Sequence, residues 1–373
     1  MSENESILDK IISSQQAAIA NEFNPKEIIE TLIQPLSDRE KQVIYLRHGF
    51  HPEGKKTLET IGSQFKVTRE RIRQIENTAL NKIKKIGIAQ VSLEDIETVF
   101  YQTLESHGGI MPEDLLLDKT LSQTGVSPEN KTYTYFILTQ LLPDRLHYLD
   151  ETEEYHPSWK LPAASLENFQ NLLNLIINSL SKLNEPLPLN EILRHLQQTA
   201  PGSPEVQELN EPILFSYINI SKKIKANPFG EWGLTHWQTV TLKKISDKVY
   251  LTLKKEGRPL HFTEIAKKIN EIGYDHKIAN PATIHNELIL DEKYVLIGRG
   301  TYALKEWGYQ PGTVAEVIKN ILKNSNRPLT RDEITEAVLK NRQVKKSTVI
   351  LALMNKDKFA KLPDQGYVLK ISS

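Results

Sequence analysis

Apolar and polar positions between residues 37 and 86 alternate with helical periodicity in three successive stretches. Ser37-Asp38-Arg39-Glu40 has the form of a capping box and opens a helix that carries Val43, Ile44 and Leu46. Gly49 and then Pro52-Glu53-Gly54 break it. Thr57 caps a second helix with Leu58, Ile61 and Phe65 on one face. Lys66-Val67 forms a tight turn, and Thr68 caps a third helix. On that helix Ile72, Ile75, Ala79 and Ile83 follow an i, i+3, i+7, i+11 spacing, which makes a buried stripe. Arg69, Glu70, Arg73 and Gln74 fall on the opposite side, near its N-terminal end.

Beyond residue 90 a weaker pattern recurs. Pro186-Leu187, Pro259-Leu260 and Pro328-Leu329 each lead, at the same spacing, to Glu-Ile at 191–192, 264–265 and 333–334. Pro-Leu ends an extended segment, and the Glu falls at the third helical position, where it meets free backbone N–H groups. Thr330 and Glu333 complete a capping box; His261 and Pro188 at the matching positions do not. Each unit closes on a short aromatic, glycine-containing stretch: FGEWGL at 229–234, VLIGRGTYAL at 295–304 and LPDQGYVL at 362–369. Such stretches signal β-hairpins. Helices followed by one hairpin describe a winged helix, so units are expected at 163–240, 241–310 and 311–373. A divergent unit is expected at 91–162, where 133–142 is apolar and Asp150 to Glu154 would be an acidic wing. Residues 1–36 present Ile7, Leu8, Ile11 and Ile12, then Ile28, Ile29, Leu32 and Ile33, as short amphipathic helices suited to packing on the neighbouring domain. The expected fold is mainly α: a helix-turn-helix domain at 37–90, then about four tandem winged-helix units with small β-hairpin wings.

Composition narrows the function classes. The 373 residues are 39% hydrophobic and 25% charged, which suits a soluble, folded, multidomain chain. No apolar run approaches a membrane span, and the acidic start MSENESILDK lacks the basic-then-apolar form of a secretion signal. A cytoplasmic protein is expected. There is no cysteine, so disulfides, thiolate metal sites and cysteine nucleophiles are excluded. The net charge of zero is segregated: residues 37–86 carry 12 basic against 6 acidic side chains, and residues 246–373 carry 22 against 15. Residues 91–245 are acidic, with 11 basic against 20 acidic side chains. Two basic blocks separated by an acidic one imply different partners for different segments.

The chemistry of the third helix suits double-stranded DNA. A recognition helix presents the side chains near its N-terminus to base edges. Arg69 and Arg73 can grip guanine, Glu70 can accept from cytosine, and Gln74 can pair with adenine. Lys55, Lys56, Thr57, Lys66, Thr68, Arg71 and Lys82 are the phosphate candidates.

LSDREKQVIYLRHGF followed by KTLETIGSQFKVTRERIRQIENTALNKIKKI closely resembles region four of bacterial primary sigma factors, over about residues 25–86. In that family the stretch corresponding to Val67 to Glu76 reads the upstream promoter hexamer. The resemblance implies base contacts for Arg69, Glu70, Arg73 and Gln74. It also implies docking of Lys41, Ile44, Tyr45 and Leu46 on the β flap of RNA polymerase core. Lys66 stands where many family members carry Gly. The core-binding and promoter-melting sigma region has no counterpart here, so initiation without another factor is not expected. Residues 246–308, and more loosely 311–371, are similar to the HARE-type winged helix of the polymerase delta subunit. The expectation is a DNA-binding regulator or accessory of RNA polymerase, not an enzyme, with no cofactor, metal or small-molecule substrate. The alternative is a delta-like docking scaffold that binds DNA only nonspecifically.

Other features have simpler accounts. His48 with His51, and His147 with His156, lack carboxylate partners at metal-ligand spacing. Gly298-Arg299-Gly300 lacks the GK[ST] of a phosphate loop and suits a hairpin turn. Trp232, Trp237, Tyr302, Trp307 and Tyr309 suit packing beneath wings better than base stacking. The pairs Lys243-Lys244, Lys254-Lys255, Lys267-Lys268 and Lys345-Lys346 suit DNA phosphates, a docking face or a solvated one equally. The acidic run at 150–154 is expected to be a solvated loop.

Overall fold

A computed structural model describes residues 23–90, 93–142, 145–275, 277–325, 327–342, 344–363 and 366–370. The expected helix at Ile7 to Ile12 lies outside these residues. Among the described residues the chain is mainly helical, and the strands form four three-stranded sheets.

The N-terminal part is built as its apolar pattern dictates. Helix α1 (Pro25–Ile33) buries Ile29, Leu32 and Ile33. Helix α2 (Asp38–His48) starts at the Ser37–Glu40 capping box and stops at Gly49, which takes φ +83°, a conformation glycine adopts without strain. Helix α3 (Leu58–Phe65) is capped by Thr57, whose hydroxyl accepts from Thr60 N–H. Helix α4 (Arg69–Gln90) buries Ile72, Ile75, Ala79 and Ile83, the expected stripe.

Four times thereafter the order is helix, short strand, two or more helices, hairpin. The first set is α5 (Leu93–Glu105), β1 (Ile110–Pro112), α6 (Glu113–Thr120), α7 (Pro128–Phe136), β2 (His147–Leu149) and β3 (Ser158–Lys160). The second is α8 (Leu166–Leu183), β4 (Leu187–Pro188), α9 (Leu189–Thr199), α10 (Pro204–Gln207), α11 (Glu211–Ile220), β5 (Ile224–Ala226) and β6 (Glu231–Leu234). The third is α12 (Ile245–Glu256), β7 (Leu260–His261), α13 (Phe262–Ile272), α14 (Pro281–Leu290), β8 (Tyr294–Gly298) and β9 (Thr301–Leu304). The fourth is α15 (Val314–Lys323), β10 (Leu329–Thr330), α16 (Arg331–Asn341), α17 (Lys346–Leu353), β11 (Phe359–Lys361) and β12 (Gly366–Leu369). In every sheet the last strand lies between the other two, so the short strand pairs with the return arm of the hairpin. The FGEWGL and LPDQGYVL stretches are a turn and the outgoing strand, the incoming strands lying just before them; residues 364 and 365 are outside the described set.

The Pro-Leu repeat has a physical basis beyond helix capping. Arg258 reaches Glu264 at 2.7 Å and Arg327 reaches Glu333 at 2.6 Å, so each Arg before the proline is tied to the Glu of the next helix. Thr330 and Glu333 form the full capping box, and Arg327 with Thr330 holds the Glu333 carboxyl down at about 2. His261 also caps its helix, its Nδ1 accepting from Thr263 N–H, a role that a search for hydroxyl or carboxamide caps overlooks.

The chain divides into two compact units, one of residues up to 225 with 232–235, the other of 226–231 with 236 onward. In the first unit the cores are continuous. Phe23, Ile29, Leu32 and Ile44 share one cluster with Phe100, Met111, Leu116, Tyr133, Phe136 and Trp159. Phe50 is the pin: its ring stacks on Tyr133 at 4.5 Å and meets Phe136 edge-on at 5.3 Å. The acidic run at 150–154 is solvated, as expected, and also acts as a latch. His156 N–H donates to Ile220 O and Lys222 N–H to Glu154 O, while Lys222 pairs with Glu151 and Lys223 with Glu154. Backbone pairing fixes the register, and the two lysines neutralise the carboxylates. Among the described residues no helix is long and apolar enough to cross a membrane.

Candidate nucleic-acid interface

The face of α4 opposite the Ile72 stripe is open to solvent from its first turn: Arg69, Glu70, Arg71, Arg73 and Gln74 are all exposed. They are not independent. Arg73 donates twice to the Glu70 carboxylate, at 2.9 and 2.7 Å, and Arg71 donates to Gln74 Oε1 at 3.1 Å. The hydrogen bond from Arg73 holds the Glu70 carboxyl below the usual carboxylate range. These contacts orient donors and acceptors along one ridge, so its side chains are already ordered. Of the expected base readers, Glu70 and Arg73 form one pair, Gln74 belongs to the other, and Arg69 flanks them.

The turn that presents this ridge is tight. Gly62 lies so close to the start of α4 that an added Cβ would sit 2.8 Å from Val67 O. Lys66 ends α3 with φ +55°, a left-handed conformation that a lysine adopts only under strain, and its N–H closes the turn on Gly62 O and Ser63 O. Its side chain is exposed beside the ridge, as a phosphate contact requires. Thr68 caps α4 by accepting from Arg71 N–H. Thr57 and Thr68 therefore act first as caps, and the Thr57 hydroxyl also shares a hydrogen bond with the Thr60 hydroxyl at 2.9 Å.

Three of the phosphate candidates have other partners. Lys82 binds the Glu40 carboxylate at 2.7 Å, bridging α4 to the start of α2, with its side chain still half-exposed. Its partner is 42 residues away and invisible to local pattern. Lys55 lies over the Tyr135 ring at 5.7 Å, and Lys56 pairs with Glu53. Among the candidate docking residues, Ile44 is fully buried and packs the shared core, so it cannot touch a partner. Lys41, Tyr45 and Leu46 line a surface groove of about 630 Å³ with Gln42, His51, Gln64 and Phe65.

Behind the ridge stands a cluster that sequence reasoning missed. Arg47 Nε lies 3.3 Å and His48 Nε2 3.5 Å from Glu76 Oε1, and Arg47 also donates to Lys56 O at 3.3 Å. Burial alone would raise the Glu76 carboxyl, but His48 and the Arg47 charge outweigh it and hold it low. His48 meets Phe136 edge-on at 4.7 Å, so the cluster also touches the shared core. The available signal was Glu76 at the end of the reading stretch, next to the buried Ile75. His51, paired with His48 on sequence proximity, is exposed and separate.

The aromatic candidates serve packing. Tyr302 is buried, Trp307 and Tyr309 pack on Val295, Ile297 and Ala303, and Trp232 meets Phe215 edge-on at 5.7 Å. Gly298 to Gly300 form the β8–β9 turn, with Gly300 at φ +64°.

Comparison with known proteins places this geometry. Residues 32–85 match the family model described as Sigma-70, region 4. That segment resembles region 4 of sigma-70 factors. Over 59 residues the chain is 51% identical to the RNA polymerase sigma factor SigA of Microcystis aeruginosa and to that of Synechocystis, in each case 16% of this chain and 14% of the relative. SigA of a Nostoc strain is equally similar, with 15% of its length covered. The chain thus spans about one seventh of the length of the curated relatives it matches.

Proposed function

We propose that the chain is a non-enzymatic DNA-binding accessory or regulator of RNA polymerase, reading promoter-type DNA through α4. The observation that carries this reading is the ridge of Arg69, Glu70, Arg73 and Gln74, exposed over a fully packed stripe inside the segment that matches sigma-70 region 4. Arg71, Lys66 and the helix caps Thr57 and Thr68 flank the ridge where phosphates run. The groove of Lys41, Tyr45 and Leu46 is the polymerase-facing surface, a cleft of mixed polar and apolar lining. Selection of bound sequences from a random duplex pool, with and without core polymerase, tests the proposal; recovery of no preferred sequence in either arm overturns it.

We read the four later sets as winged-helix modules that bind protein more than DNA. In such a fold the helix before the hairpin is the DNA reader. Here α7 buries Tyr133 and Phe136 against Phe50. Helix α11 buries Leu214, Tyr217 and Ile218, with Ser216 donating to Ile110 O and Tyr217 to Gly108 O. Helix α14 is open, but it carries no Lys or Arg and exposes Ile289 and Leu290; α17 exposes Leu351 and carries only Lys346. Uncharged or internally packed helices are poor phosphate and base readers. This supports a docking role for the modules, as in the delta-like reading, beside sequence-specific reading by α4.

A further inference from the structure

The third and fourth modules, both within the second unit, enclose a cleft of about 630 Å³ lined by Arg258, Lys340, Arg342 and Lys345, with Tyr309 and Val344 among its walls. No carboxylate lines it. Two of the four cations are committed elsewhere: Arg258 to Glu264 and Glu256, and Lys340 to Glu336. The other two have no ion-pair partner among the described residues. Arg342 is only 7% exposed, at the end of α16. One guanidinium nitrogen donates to Gln310 O at 3.3 Å, and Nε is buried with no acceptor. Burial works against its charge, with Glu316 offsetting part of that.

A guanidinium on the wall of a cleft, with no carboxylate in ion-pair contact among the described residues, leaves positive charge for an anion from outside. We propose that this cleft binds a nucleotide phosphate. The Arg342 charge on the wall and the Lys345 charge at the rim attract a phosphate together, and the volume suits a nucleotide rather than a bare ion. The apolar walls, which include Pro259, Ile297 and Val344, accommodate a base. The phosphate comes either from a free nucleoside polyphosphate or from the backbone of a single strand, and the cleft chemistry is the same for both.

The test is calorimetric titration of the full chain with ATP and, separately, with a short thymidine strand lacking terminal phosphates. Saturable binding of either probe is expected, weakened at least about tenfold by Arg342→Gln and by Lys345→Glu and unchanged by Lys346→Glu. Tighter binding of ATP identifies the free nucleotide, and tighter binding of the strand the backbone. Should Arg342→Gln fail to fold, the exposed Lys345→Glu carries the comparison. Absence of saturable heat at millimolar ATP and strand, or equal affinity in wild type and Lys345→Glu, overturns the proposal.

Discussion

Glu70 and Arg73, one turn apart on α4, hold each other through two hydrogen bonds of 2.7 and 2.9 Å on a face otherwise open to water. The pair is a preset donor–acceptor unit, so loss of either member changes the presentation of the other. Arg73→Ala is expected to reduce preference for promoter over scrambled duplex by about ten- to a hundredfold, the range of one bidentate base contact. Equal losses on both duplexes in a competition assay would show that Arg73 does not read bases.

Lys66 places stability and affinity in opposition. Its φ of +55° is one that glycine adopts freely, so Lys66→Gly should raise the unfolding free energy by about 0.5–1 kcal/mol, less what glycine adds to the unfolded chain's entropy. The same change removes a charge beside the ridge. The slope of log affinity against log salt should then fall by about one. Denaturant melts and binding isotherms at several salt concentrations measure the two effects separately.

Gly62 is the complementary case. Its Cβ would meet the Val67 carbonyl at 2.8 Å, and backbone has no rotamer with which to yield. Gly62→Ala should destabilise the domain by about 1–3 kcal/mol and shift α4 against α3. A melting temperature equal to wild type would refute the close approach.

Glu76 predicts an acid limb. Its carboxyl is held below the unfolded value of about 4.3, so its contribution to stability is complete above that pH and is lost as pH falls through the lower folded value. Glu76→Gln should cost about 1–3 kcal/mol near neutrality and flatten the loss of stability below about pH 4.3. Chemical denaturation of both proteins across that range reads the difference.

The local code of the N-terminal part was legible in the sequence because each helix carries its own cap and stripe. Ser37 with Glu40, Thr57, Thr68 and the Ile72–Ile83 spacing specify α2 to α4 without tertiary information. The hairpins were legible from glycine and aromatics, although their incoming strands were too short and polar to stand out. The features that escaped depend on distant partners. Lys82 looked like a free cation because Glu40 is distant in sequence, and Ile44 looked available because Phe50 and α7 cover its surroundings only in the folded chain. The pairing of 154–156 with 220–222 likewise joins two segments with no mutual signature. Arg342 carried no motif at all; only its enclosure marks it.

The pin formed by Phe50, Tyr133 and Phe136 bears on the order of events during synthesis. Hydrophobic residues of the reading domain face partners that leave the ribosome more than eighty residues later, so its core stays incomplete until the first module has emerged. Phe50→Ala, which should cost about 3 kcal/mol, would expose that dependence as a slower rise of DNA-binding competence in stalled-chain experiments. The segment that matches sigma-70 region 4 thus completes its packing only once the chain behind it has begun to fold.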